Sequence, residues 1–187
     1  MQREKTKSEE SRRMEQKTIY LLSGPCGAGK STITKELLRT VKKSALIQGD
    51  DFLSLPMYES DSEPSWDEML AIMWKNILSL TQNLLQHNYN VIIDTVVEDE
   101  LDWFCRHFAY QNVKIKYVVL LAEENILIER LNKRGDPYLI ERSLFLLNKL
   151  ERDPANSKHL YNTSYKKPAE IIENILNSSS FIYNPAT

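Results

Sequence analysis

Gly24-Pro25-Cys26-Gly27-Ala28-Gly29-Lys30-Ser31 is the stretch that decides how this chain is read. Before it stands Thr18-Ile-Tyr-Leu-Leu-Ser23, an apolar run of the kind a buried parallel strand presents. After it, helical periodicity runs from Lys30 to about Val41. Three of the chain's five glycines (Gly24, Gly27, Gly29) fall inside it. Glycines let successive backbone N–H groups converge on an anion without interference from Cβ, and the following helix aims its positive end at that anion. Gly24-x-x-x-x-Gly29-Lys30-Ser31 fits the Walker A phosphate loop. On this reading Gly24, Pro25, Cys26, Gly27, Ala28, Gly29, Lys30, Ser31 and Thr32 hold a nucleoside triphosphate, expected to be ATP with Mg²⁺. Lys30 reaches the β- and γ-phosphates, and the Ser31 hydroxyl faces the metal. Cys26 is read as a small residue that fits the loop, the alternative being a thiol activated by the helix N-terminus.

Outward from the loop, strands and helices alternate. Ala45–Gln48, Val91–Asp94 and Val113–Leu121 read as strands, with a short one near His159–Asn162. Helices are expected from Trp66 to about His87, Asp99 to Tyr110, Glu124 to Lys133, Tyr138 to Arg152 and Pro168 to Leu176. Alternation at this spacing implies right-handed crossovers and an α/β fold, a parallel sheet covered on both faces.

Composition narrows the class. With 187 residues and 42% hydrophobic content, the chain can build one sizeable core. A formal net charge of −2 gives no footprint for general nucleic-acid binding, though it leaves an RNA or DNA end open as a substrate. Two cysteines, Cys26 and Cys105, lack both disulfide and metal-ligand patterning, which points to a reducing compartment. No apolar run approaches the roughly 20 residues of a membrane span. Residues 1–16 are polar without an apolar h-region, so they read as a disordered extension rather than a secretory signal, and the cytoplasm is the expected location. Residues 17–187 read as a single domain.

Ligands of open α/β sheets bind beyond the carboxyl ends of the strands, and two strands here end in acids. Asp94 closes Val91-Ile-Ile and suits a Walker B role at Mg²⁺. Asp50 and Asp51 follow the second strand, where a carboxylate can take the proton of an attacking hydroxyl. Asp50 is the expected base, with Gly49 leaving room for close approach; Asp51, pointing the other way along an extended chain, is a substrate contact. Arg130 and Arg134 lie four apart on one helical face, as guanidinium groups serving phosphoryl oxygens would; a solvated face paired with Glu129 is the plainer alternative.

The phosphate loop, the acidic end of the second strand, Val-Ile-Ile-Asp94 and Arg130-x-x-x-Arg134 together resemble the small-molecule P-loop kinases. That group includes shikimate and gluconate kinases, chloramphenicol phosphotransferase and zeta-toxin kinases. The resemblance covers roughly residues 17–177. It implies a three-layer P-loop NTPase fold, a five-stranded parallel sheet in order 2-3-1-4-5, and a mobile lid around 134–142. Gly49-Asp50-Asp51-Phe52 resembles the segment whose first acid is the base, which implies Asp50. Arg130 and Arg134 match the lid arginines, and Asn162–Glu170 resembles the closing segment near the adenine.

The function expected is transfer of the ATP γ-phosphate to a hydroxyl of a small molecule. Phe52, Tyr58, Met57, Trp66, Met69 and Trp74 stand where an acceptor would sit, although the spacing of Trp66 and Trp74, near two helical turns, favours core packing for that pair. Alternatives are a kinase of nucleic-acid ends or nucleotide sugars and a non-catalytic ATP-binding module. A regulatory GTPase fits poorly, because Asn132-Lys-Arg-Gly135 lacks the Asp of a guanine-reading motif and no Asp-x-x-Gly follows Asp94.

Overall fold

The structure, a computed structural model, describes residues 16–54 and 64–184. Five strands, β1 (Lys17–Ser23), β2 (Ser44–Gln48), β3 (Asn90–Asp94), β4 (Val113–Leu121) and β5 (Leu160–Asn162), form one parallel sheet in the order β2-β3-β1-β4-β5. This is the expected order. Strand β1 is central because its apolar residues can be covered on both faces: Ile19, Leu21 and Leu22 are fully buried. Leu22 pairs in register with Asp94 on one side and Val118 on the other, and Asp94 pairs with Gln48. The carboxyl ends of β1, β2 and β3 therefore finish along one line, and the site lies beyond it.

The helices on both faces are α1 (Lys30–Thr40), α2 (Asp50–Leu53), α3 (Trp66–Gln86), α4 (Leu101–Arg106), α5 (Glu124–Arg134), α6 (Ile140–Arg152) and α7 (Pro168–Asn177). Ser65 caps α3, its hydroxyl accepting from the Glu68 N–H at 3.2 Å, while Asp67 and Glu68 occupy the positive end of that helix. Trp74 is buried in the core against Phe104, with ring centroids 5.6 Å apart, whereas Trp66 is exposed. The Asp153 side chain accepts from the Ala155 N–H at 2.9 Å and stops the chain after α6 in a 3₁₀ turn, Pro154–Asn156.

Three expectations need correction. The helix foreseen from Asp99 to Tyr110 is only α4. Its start is delayed because the Glu100 carboxylate accepts from the Glu98 and Asp99 N–H groups, and after Arg106 the chain tightens into i→i−3 turns. Asp50 and Asp51 are not on an extended strand end: Gly49 is already helical and the two acids open the single turn α2. The space beside Gly49 is taken by Thr95, since a Cβ there would lie 2.5 Å from the Thr95 Oγ1, so that glycine serves packing between β2 and β3 rather than substrate approach. The lower edge of β4 carries a pairing with no counterpart in the sequence reading. Lys116 bridges Ile182 antiparallel, with Tyr117 N–H donating to Phe181 O at 2.9 Å and Tyr183 N–H to Ile115 O at 3.0 Å. Beneath it the buried Lys116 ammonium donates to the carbonyls of Ile175, Leu176 and Ser178, closing the C-terminal end of α7.

Candidate active site

The phosphate loop leaves β1 at Gly24 and enters α1 through Gly29. No side chain caps α1, so the first N–H groups of the helix remain for a ligand. Gly24 does not border the cavity. Its φ of 140° and a Cβ position 2.1 Å from the Leu120 carbonyl oxygen show why only glycine fits there, against the backbone of β4. Pro25 through Thr32 do border it, around a cavity of about 440 Å³. Lys30 Nζ donates to Gly24 O at 2.8 Å, which keeps the ammonium folded over its own loop.

The same cavity gathers Asp50, Asp94, Arg130 and Arg134. Residues from the end of β3, from α2, from the first turn of α1 and from α5 thus meet in one place. Asp94 is buried, and its carboxylate lies 3.3 Å from the Thr34 hydroxyl, which also lies 3.0 Å from the Lys30 carbonyl. Ser31, exposed on the first turn of α1, lines the cavity with Asp94. A hydroxyl and a carboxylate are the hard oxygen donors that Mg²⁺ accepts beside phosphate oxygens. Among the described residues no group of three or more His, Cys, Asp or Glu forms a metal cage, and a magnesium site completed by phosphate needs none.

Asp51 is exposed and off the cavity wall, and Phe52 packs half-buried against the core. Tyr58 and Met57 fall outside the described residues. Arg130 is half-buried, donating to Gly27 O at 3.1 Å and Thr163 O at 3.4 Å. Arg134 is exposed and pairs with Asp136, whose other oxygen accepts from Tyr138 at 3.2 Å. Between α5 and α6, where a lid was expected, the chain runs through Gly135 in the left-handed region and a short 3₁₀ turn, Pro137–Leu139, with Leu139 on the cavity wall. Arg142 is turned away from the site to Glu98, which also holds Lys149 at 3.0 Å, and that hydrogen bond raises the Lys149 ammonium above its usual pKa.

Several cavity residues were not singled out in the sequence. Thr163, Lys166 and Pro168 also line the cavity, within the segment whose resemblance pointed to the adenine. Ser143 stands outside the cavity but bonds its loop at the Cys26 carbonyl. The one signal for it was a hydroxyl in the apolar row of α6.

An AAA domain family model matches residues 21–144. No curated protein matches the chain in sequence. Among solved structures, the tunicamycin resistance protein of Deinococcus radiodurans is similar at 16% identity and a TM-score of 0.61, over 86% of this chain and 94% of that one. A sugar kinase from Janibacter sp. HTCC2649 is similar at 15% identity and a TM-score of 0.61, over 89% and 96% of the two chains. The APS kinase CysC of Mycobacterium tuberculosis, solved with AMPPNP and APS, is similar at 15% identity and a TM-score of 0.57, over 87% and 99%. At these identities the likeness is one of fold. No helix among the described residues is long and apolar enough to cross a membrane.

Proposed function

The chain belongs to the AAA domain family, and from that premise we propose that it is an ATP- and Mg²⁺-dependent phosphotransferase acting on a hydroxyl of a small molecule. The observation that carries this reading is Asp50, a carboxylate on the wall of the same cavity as Lys30. A nucleotide switch has no need of such a group; a transferase needs one for its acceptor.

Bound ATP with Mg²⁺ supplies the transferable phosphoryl group and much of the charge neutralisation. Ser31 and Asp94 are the residues that would hold the metal. Asp50 accepts a hydrogen bond from the acceptor hydroxyl and takes its proton as the new O–P bond forms and the γ-phosphoryl group parts from ADP. Lys30 and Arg134 balance the negative charge on the phosphoryl oxygens, and Gly135–Leu139 acts as the lid that excludes water. A sugar kinase and an APS kinase among the fold-mates are in keeping with a small acceptor, and the cysteine usage is in keeping with a cytoplasmic location.

The test is ADP release from ATP·Mg²⁺ across a panel of neutral, cationic and anionic hydroxyl compounds, with nucleotide sugars and 5′-hydroxyl oligonucleotides as separate arms. A hit among small compounds, confirmed by the mass of one added phosphate, supports the proposal. Turnover confined to oligonucleotides or nucleotide sugars would reassign the acceptor, and ATP binding with no turnover in any arm would make the protein a non-catalytic ATP-binding module.

A further inference from the structure

Three successive carbonyls of the phosphate loop are approached by polar side chains from three separate parts of the chain. Ser143 Oγ donates to Cys26 O at 2.7 Å, Arg130 donates to Gly27 O at 3.1 Å, and the Thr163 hydroxyl lies 3.0 Å from both Ala28 O and Leu121 O, sharing one proton between them. Arg130 and Thr163 border the cavity, whereas Ser143 does not. Ser143 is fully buried on α6, in the row that continues as Leu146, Leu147 and Leu150. A hydroxyl in such a row costs stability unless it finds an acceptor. A serine within a helix can bond the carbonyl one turn back. This one reaches a carbonyl 117 residues away in sequence.

We propose that Ser143 is a positioning residue for the phosphate loop: it holds the Cys26 carbonyl so that the Gly27 N–H faces the bound phosphates. The inference rests on the phosphate-binding part of the function proposed above. A trans peptide is planar, with its C=O and N–H on opposite sides. Drawing the Cys26 oxygen toward α6 therefore turns the Gly27 N–H away from α6. Among the described residues that N–H has no acceptor, whereas its neighbour on Ala28 returns to Pro25 O at 3.3 Å. The post is itself fixed. Arg142, adjacent to Ser143, pairs with Glu98, and Lys149 holds both Glu98 and Asp99, tying α6 to the loop that follows β3. Helix α6 thus joins the loop after Asp94 to the phosphate loop.

The experiment compares wild type, Ser143→Ala and Ser143→Cys for binding of ATP·Mg²⁺ and of inorganic tripolyphosphate by calorimetry, with thermal melts in parallel. One well-placed hydrogen bond to the loop corresponds to about 5–10-fold in affinity. Ser143→Ala is expected to weaken tripolyphosphate and ATP·Mg²⁺ by that same factor, because the loss lies at the phosphates and not at the base. Ser143→Cys, close in volume but a weak donor, should fall between the two. A residue that merely packs would lower the melting temperature and leave tripolyphosphate affinity alone, and that result overturns the proposal. Should Ser143→Ala not fold, an unchanged tripolyphosphate affinity in Ser143→Cys overturns it equally. Wild-type protein that binds neither ligand would instead overturn the phosphate-loop reading on which the inference rests.

Discussion

The Arg130 guanidinium spans the Gly27 carbonyl at 3.1 Å and the Thr163 carbonyl at 3.4 Å, so it fastens the phosphate loop to the turn after β5. Arg134, one helical turn on, is exposed at the rim of the cavity with Asp136 as its partner. Two arginines that look equivalent in sequence therefore sit in different surroundings.

The first prediction follows from that difference. Arg130→Lys cannot bridge two carbonyls as a fork does, and is expected to weaken nucleotide binding by about tenfold. Arg134→Lys is expected to leave binding intact and to lower turnover by about tenfold or more, since a point charge replaces a planar donor at the phosphoryl group. Nucleotide titration and single-turnover kinetics separate the two. Loss of turnover alone in both variants would reject the division.

Asp50 and Asp51 share the turn α2, but only Asp50 borders the cavity. Asp50→Asn keeps the shape and removes the proton acceptor. Turnover should fall by roughly 10²–10⁴-fold while ATP affinity survives. Asp51→Asn should remain within about twofold of wild type. The same kinetics run on both variants would expose a transposed assignment if the large loss appeared at Asp51.

Gly49 is a packing constraint and not a conformational one. Its φ of −61° suits any residue, but a methyl group there would lie 2.5 Å from the Thr95 Oγ1 and 2.7 Å from its Cβ. Thr95 is buried and cannot move aside cheaply. Gly49→Ala is expected to cost about 1–3 kcal/mol, read as a lower denaturation midpoint. A wild-type midpoint would show that β2 and β3 tolerate separation at their carboxyl ends.

His159 is buried between Tyr117 and Tyr183, with ring centroids at 5.2 and 5.7 Å, and its Nδ1 has no hydrogen-bond partner among the described residues. Burial lowers its pKa below the usual 6.5. In the window below 6.5 the unfolded chain then binds more protons than the folded one, so stability rises with pH and is lost as pH falls from 6.5 toward the folded pKa. His159→Phe keeps the aromatic stack without titrating. Denaturant midpoints measured from pH 7.5 downward should flatten near and below 6.5 in the variant, relative to wild type. Parallel curves would show that other groups govern the acid limb.

Much of the fold can be read along the chain because it rests on local patterning. Strand β4 runs from Val113 to Leu121 as its apolar run implies, and α1 starts at Lys30 as the loop requires. The alternation of strands with helices leaves a parallel sheet as the natural arrangement, while its strand order came from the family resemblance. Asp50, Asp94, Arg130 and Arg134 could be picked as candidates because acids at strand ends and paired arginines on one helix face are short-range features.

What the tertiary structure alone decided is which of those groups touch and what surrounds them. The hydroxyl of Ser143 looks like a flaw in a leucine row until Cys26 is brought beneath it, and Gly49 looks like free space until Thr95 fills it. The division of Arg130 from Arg134 depends on carbonyls 103 and 33 residues away from Arg130. Periodicity records which face of an element is apolar, but it carries no address for the partner across the sheet. That address is set only when the elements pack and buried donors and acceptors such as Ser143 Oγ and the Cys26 carbonyl are brought together.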